Sequence, residues 1–483
     1  MRQRFTQQHS LGVTPISEVV IPKNSRHELA PVLAALQYIF VTPELNEKIF
    51  ALVESKIGGN KNHTGRPGMD LWEILVFAVV RLALDADYDA LHHFSNYDSL
   101  IRQILGVENR FNNDGKTYGL QTLKDNVSLL DEDTVNQVNT IVVEAAHQFV
   151  LKKKEGLKIK SDTYVFETNV HFPTDLNLLW DSCRKSIDVM RFCCQHYKLQ
   201  GWRKHNSWRS ALKSALRSTG KACASSSKQK PKLVKKQVTE YLRLATELNQ
   251  KVTQSKEELY CSPLFDTRLM NLLSALTYYQ EMLVKHIDLI TRRLLKGESI
   301  PSEEKIYSIF EPHTEWISKG KANKPVELGH KILIATDQYN FIVYHQVVQG
   351  KADAALTIPL ADQLLSRYNN IASLSLDKGF YSKENKNLLS LYIPQLVMPK
   401  KGKLNQLEKE EESQKEFKKL RNHHSAVESN INQLEKNGLN KCPDKGLSAY
   451  KRYVSLGILS YNLHRLGKLL IEREKALPLK QAA

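Results

Sequence analysis

Acidic residues are missing from one long stretch. Between Val189 and Thr239 the chain has no Asp or Glu, while thirteen Lys or Arg crowd the same interval, with Trp202 and Trp208 among them. Over the whole chain 69 Lys and Arg stand against 52 Asp and Glu, a formal charge of +17. Such an excess says nothing about fold, but it favours a polyanionic partner over a neutral or acidic one. Cysteine is scarce: six residues at positions 183, 193, 194, 223, 261 and 442, with no CxxC pair. That excludes a zinc finger and a disulfide framework, and Cys193–Cys194 beside His196 has the wrong spacing for either. Long hydrophobic runs are also lacking. The longest, Ile74 to Leu84, is broken by Arg81 and is too short to span a bilayer. Residues 1–30 contain no signal-like apolar core. The expectation is a cytoplasmic, DNA-associated protein with no membrane partner.

What is present divides by texture. With 483 residues, 41% hydrophobic and 25% charged, the chain is of ordinary globular composition and has room for several domains. Residues 31–154 carry helical spacing throughout, with Asp70, Asp87 and Asp98 placed as caps. Three short helices within 71–105 suit either a helix-turn-helix or a plain bundle. From Gly156 the texture becomes strand-like (LKIKSDTYVFETNV), then helical and basic. Helices over 238–259 and 264–296 read as an antiparallel hairpin or a dimerising coiled coil. Beyond Gly320 the pattern is α/β: strands at 326–336 and 341–348 joined by a turn, a helix at 358–367, and a strand leading to Asp377. A helix at 383–389, a strand at 392–398, one long helix at 413–436 and another at 453–470 follow, then a loose tail. The boundaries expected are 1–155 for a helical DNA-binding domain, 156–180 and 319–470 for two parts of a catalytic domain, 181–318 for a helical basic insertion and 471–483 for the tail.

Three acids stand out. Asp162 sits inside a strand, where propensity disfavours it, so it needs an exposed edge or a cation. Asp377 ends the apolar run IASLSL and is followed by Lys-Gly-Phe-Tyr-Ser, a position where ligands gather in sheet-and-helix domains. Glu428 lies at the edge of an apolar helical stripe. Three carboxylates are what Mg²⁺ favours, and two such ions can stabilise an in-line phosphoryl displacement. Asp175, Asp337 and Asp353 compete, each with a plain structural explanation as a helix cap or turn residue.

The blocks Asp162-Thr-x-x-Phe-Glu-Thr-Asn-Val-His-Phe-Pro-Thr-Asp175, Leu376-Asp-Lys-Gly-Phe-Tyr-Ser382 and His424-Ser-Ala-Val-Glu428, with Asn437-Gly-Leu439 downstream, resemble a DDE-type transposase of bacterial insertion sequences. The stretch Thr64-Gly-Arg-Pro-Gly68 and the helices after it are similar to that group's N-terminal region, so the resemblance spans roughly residues 60 to 470. It implies an RNase H-like mixed sheet interrupted by an all-α insertion and preceded by an all-α domain. Asp162 would stand on the first strand, Asp377 after the fourth and Glu428 on a late helix, as catalytic and metal-binding residues. It implies Mg²⁺, with Mn²⁺ as a substitute, and double-stranded DNA at the element's ends and target, bound by a homodimer. Cleavage would free 3′-hydroxyls that attack target DNA, with no covalent protein–DNA intermediate. DNA contacts are expected at Arg66, Arg203, Lys204, Arg209, Lys213, Lys378, Arg421 and His424. Relatives place a tyrosine, an arginine and a lysine at set spacings around the glutamate; here His424, Arg421 and Lys436 stand four before, seven before and eight after. The alternatives are a catalytically silent DNA-binding derivative and a recombinase with a tyrosine or serine nucleophile.

Overall fold

The computed structural model describes residues 2–5, 13–57, 68–108, 115–152, 155–318 and 325–481. They form two compact units: residues 1–169 with 317–483, and residues 170–316.

The first unit begins with seven helices: α1 (Leu29–Val41), α2 (Pro43–Ile57), α3 (Leu71–Ala83), α4 (Tyr88–Tyr97), α5 (Ser99–Ile104), α6 (Leu120–Val127) and α7 (Glu132–Val150). Then comes strand β1 (Leu157–Thr168). After the second unit the chain adds β2 (Glu315–Ser318), β3 (Val326–Thr336), β4 (Ile342–Val348), β5 (Ile371–Leu376), β6 (Gln395–Val397) and β7 (Lys441–Cys442). The sheet is mixed and open, ordered β2-β3-β1-β5-β6, with β4 on β3 and β7 on β1. β1 runs antiparallel to β3 and parallel to β5, so it is the central strand. Its Tyr, Val, Phe and Thr residues favour a pleated surface, and Ile159, Tyr164, Val165 and Phe166 are buried.

α3 is buried at every position from Leu71 to Ala83. An apolar helix buried all round is a core element, not a groove reader. α5 does not supply one either: Ile101, Arg102 and Ile104 are buried, and the Arg102 guanidinium donates to the carbonyls of Ser95, Glu108 and Lys116. Asp70 is the N-cap of α3 but makes no capping bond, whereas Asp87, Asp98 and Asp131 do. These helices share one core with the sheet, so residues 1–155 are not a unit of their own. The cause is the last helix, α17 (Leu447–Gln481), which packs on α1, α3, α7 and β4. The tail expected at 471–483, loose from Pro478, is a correction: the backbone stays helical to Gln481, with Ile471 buried, Glu474 paired to Lys23 at 2.6 Å and Arg473 on the Phe149 ring.

Between β4 and α17 the packing is polar as well as apolar. Asn462 accepts from Ile342 N and donates to Ile342 O and Asn139 Oδ1, which satisfies the strand end inside the core. His345 on β4 lies 3.0 Å from Ser455 Oγ, and burial depresses its pKa to about 4. The unfolded imidazole titrates near 6.5, so between these values the unfolded chain binds more protons. Stability held above pH 6.5 is therefore lost as pH falls toward 4, by up to about 3 kcal/mol. In His345→Gln the unfolding midpoint measured from pH 7 to 4 should fall less steeply than in the parent; an identical acid limb would remove His345 as a cause.

The second unit is helical: α8 (Asp175–His196), α9 (His205–Ala224), α10 (Lys230–Tyr260) and α11 (Thr267–Ile290), followed by a π turn at Thr291–Leu295. Its core draws on all four helices. α10 begins at Lys230, ahead of the expected start at 238. Trp202 is core, not a nucleic-acid contact: it is 1% exposed and its Nε1 donates to Ser255 Oγ.

Three further helices sit late in the first unit: α12 (Asp353–Arg367), α13 (Lys383–Leu389) and α14 (Gln406–Ser413). The single helix expected at 413–436 is two, α15 (Lys415–His424) and α16 (Ala426–Lys436). At the break the Ser425 N–H turns to the His423 carbonyl and its Oγ donates to Asn422 O.

Candidate active site

Alternation puts Lys158, Lys160, Asp162 and Tyr164 on one face of β1. In the parallel register Lys158 faces Ser373 and Lys160 faces Ser375, and Leu376, which faces Ser161, is the last residue of β5. Asp377 therefore follows at the strand end, level with Asp162. β5 is the fifth strand of the chain, not the fourth, because the four-residue β2 precedes it.

The turn after β5 is tightly tied. Asp377 opens a 3₁₀ turn, Lys378–Phe380, without capping it through its side chain. Phe380 is buried, and its carbonyl accepts from Thr357 Oγ1 at 3.0 Å and Asn385 Nδ2 at 3.2 Å. At Gly379 a Cβ would stand 2.9 Å from Asp353 Oδ2, a side-chain tip that can shift, so glycine eases the approach of this turn to α12 without being required for it. Asp377 is left exposed, its backbone held and its carboxylate facing out.

α15 lies over this face. His424 Nδ1 sits 3.2 Å from Ser375 Oγ, and the chain break at Ser425 places Glu428 in the first turn of α16. Val427 and Leu434 bury that helix while Glu428 remains exposed.

Electrostatics tie the three acids together. The Asp162 carboxyl is half-buried and pushed up to about 6, chiefly by burial, against a 2.7 Å bond from Thr163 N; Asp377, Asp353 and Glu428 push it further up. An acid whose pKa is raised by neighbouring carboxylates stands in their field. The His424 imidazole is held below its usual range by burial and by Lys160, against the pull of Asp377 and Glu428. Among the described residues, no three His, Cys, Asp or Glu side chains stand close enough to make a ready metal site. The acids are within electrostatic reach, not at ligand distance.

Asp353 is a fourth acid in this field. In the sequence it reads as a turn residue after Gly350-Lys351, and nothing marks its nearness to Asp162. Its Oδ1 accepts from Lys331 Nζ at 2.8 Å. The other competitors have structural work. Asp337 accepts from Tyr339 N and Phe341 N and lies 2.7 Å from His147 Nε2, holding the β3–β4 turn. Asp175 does not cap its helix; Thr174 does, and Asp175 pairs with Arg293 at 2.8 Å.

The expected DNA contacts scatter. Lys378 is exposed beside Asp377, Arg421 is exposed 3.8 Å from Glu412, and His424 is half-buried on Ser375. Arg203, Lys204 and Lys213 are exposed in the second unit, while Arg209 pairs with Asp188 at 3.2 Å. Arg66 lies outside the described residues. No helix among them is long and apolar enough to cross a membrane. Comparison of the chain with protein-family models, curated proteins and solved structures finds no match.

Proposed function

We propose that the chain is a DDE-type DNA transposase of an insertion sequence, cutting and joining DNA strands at a centre built from Asp162, Asp377 and Glu428. The observation that carries this reading is the shared field: Asp377, 215 positions after Asp162, and Glu428, 51 further on, both act on the half-buried Asp162 carboxyl. The strand order supports it too. An antiparallel trio β4-β3-β1 continued by parallel β5 and β6 is what an RNase H-like sheet requires, with its first acid on the central strand.

The donors fit a hard divalent cation: all are carboxylate oxygens, and Asp162 carries a raised pKa that a positive ion would relieve. Asp162, Asp377 and Glu428 would hold Mg²⁺, or Mn²⁺ in its place, which when bound polarises a phosphate and lowers the pKa of water. The chain's own part is to place the strand. Lys378 attracts the phosphodiester beside Asp377, and the tied turn at Phe380 keeps that carboxylate still. His424, fixed on Ser375, walls the cleft from the α15 side. Water attacks the scissile phosphorus and the 3′-oxygen departs with a proton; that 3′-hydroxyl then displaces a 3′-oxygen in target DNA. The substrate is double-stranded DNA, met by two copies of the chain.

Acids in electrostatic reach but not at ligand distance favour a second reading, a catalytically silent DNA-binding derivative. Nicking of duplex DNA carrying the sequences that flank the coding region separates the two. Mg²⁺-dependent nicks with free 3′-hydroxyls are expected. Binding without cutting supports the silent derivative, and protein covalently attached to the cleaved strand would point to a tyrosine or serine nucleophile.

A further inference from the structure

Behind the carboxylates, on the same face of β1 and β5, lies a cavity of about 280 Å³. Lys158, Lys160, Ser373 and Ser375 line it from the sheet, and Lys419, Leu420 and His423 from α15. Lys160 is 8% exposed as a whole residue: its stem is buried, and its ammonium, which is not sealed from water, lines the cavity. Asp337, whose charge acts on it, is occupied by His147 and two backbone N–H groups. The other ionisable side chains lining the cavity, Lys158, Lys419 and His423, are all basic residue types. Asp162 stands two residues from Lys160, about 6.6 Å along the strand, comparable to the spacing of neighbouring phosphates on a nucleic-acid strand.

We infer that this cavity is a phosphate subsite in which Lys160, with Lys419 and His423 at its α15 wall, takes the phosphodiester next to the one held at the carboxylates. The inference rests on the proposed function for the identity of the strand, but the subsite itself is tested by binding alone. Its volume lies at the lower edge of the ~300–1,000 Å³ of small-ligand sites, enough for a phosphate and part of its sugar. One charge-assisted contact of this kind is lost when the ammonium is removed.

The test uses the full chain, without divalent ions, and a short fluorescein-labelled oligothymidylate. Lys160→Met should weaken binding about tenfold and make the slope of log affinity against log salt shallower by about 0.7. Its melting temperature should stay close to the parent's, because an apolar side chain of similar length keeps the packing of the buried stem. Lys419→Ala and His423→Ala, at exposed positions, should each weaken binding several-fold without touching the fold. Unchanged affinity in Lys160→Met, or a drop in melting temperature with binding intact, overturns the subsite and makes Lys160 structural. Two competitors identify the source: a methylphosphonate oligonucleotide should compete poorly, and inorganic phosphate only weakly. Inorganic phosphate competing as well as the oligonucleotide would assign the cavity to free phosphate and overturn its place on a strand. Lys160-dependent binding in a chain that never cuts DNA supports the subsite and counts against the proposed activity.

Discussion

Asp377→Asn should reduce Mg²⁺-dependent strand cleavage by about 10³-fold or more while leaving DNA binding and melting temperature close to those of the parent. The size follows from the role: a group acting only on charge that develops in the transition state is worth about 10²–10³ in rate, and loss of a metal donor adds to that. The selectivity follows from the structure. Asp377 is exposed, makes no capping bond, and is fixed by its backbone and by Phe380, none of which an amide disturbs. Removing a negative charge beside Lys378 should, if anything, tighten DNA. Asp337→Asn is the contrast. It keeps the Oδ1 that accepts from Tyr339 N and Phe341 N but turns a donor amide toward His147 in place of a fully buried carboxylate oxygen, so it should lower the melting temperature before it touches chemistry. Single-turnover nicking and fluorescence anisotropy on the same DNA read both effects. An Asp377→Asn chain that cuts at the parent rate removes Asp377 from the centre, whatever the other acids do.

Parts of this site could be read from the sequence because they depend on local pattern. β1, the β3–β4 hairpin and β5 are dense in β-branched and aromatic residues, and their ends coincide with Gly, Asp and Asn. The mixed α/β class followed from them. The break at Ser425 could not be read, since the apolar spacing runs on from Phe417 through Val427 to Leu434 without a glycine or proline. It is nevertheless what puts Glu428 in a first helical turn. Lys160 and Asp353 were invisible for a different reason. A lysine in a strand ordinarily reaches solvent, and only α15, hundreds of residues later, covers it; Asp353 nears Asp162 only through the packing of α12 on the turn after β5. The independent N-terminal domain failed on the same ground: helical spacing in 1–155 shows that helices form, not that their apolar faces are filled by α17.

The dependence of those helices on the rest of the chain has its own large expected effect. Asp444→Asn should destabilise the first unit by about 3–5 kcal/mol, the cost of leaving a buried charge without its partner. Arg81, on the fully buried α3, is 2% exposed and meets Asp444 through two bonds, at 2.6 and 3.1 Å, across 363 positions. Its guanidinium lies over the rings of Tyr88 and Tyr453 at 4.0 and 5.3 Å. Burial pulls its pKa down, yet the bonds to Asp444 leave it raised, so the ion is held by that one carboxylate. The reverse change is milder. Arg81→Met leaves Asp444 near Arg452, 3.8 Å away, and 11% exposed. Pairing Arg81→Met with Asp444→Leu should recover most of the loss, since an apolar pair of similar volume needs no desolvated ions. Urea midpoints of the two single variants and the double give the coupling directly. A cost for Asp444→Asn below about 1 kcal/mol, the range of a surface pair, would mean that the guanidinium finds water or another acceptor. With the full cost, α3 is anchored to the loop that opens α17. Residues 1–155 then cannot be removed as a separate DNA-binding module, and a chain beginning at residue 156 should fail to fold.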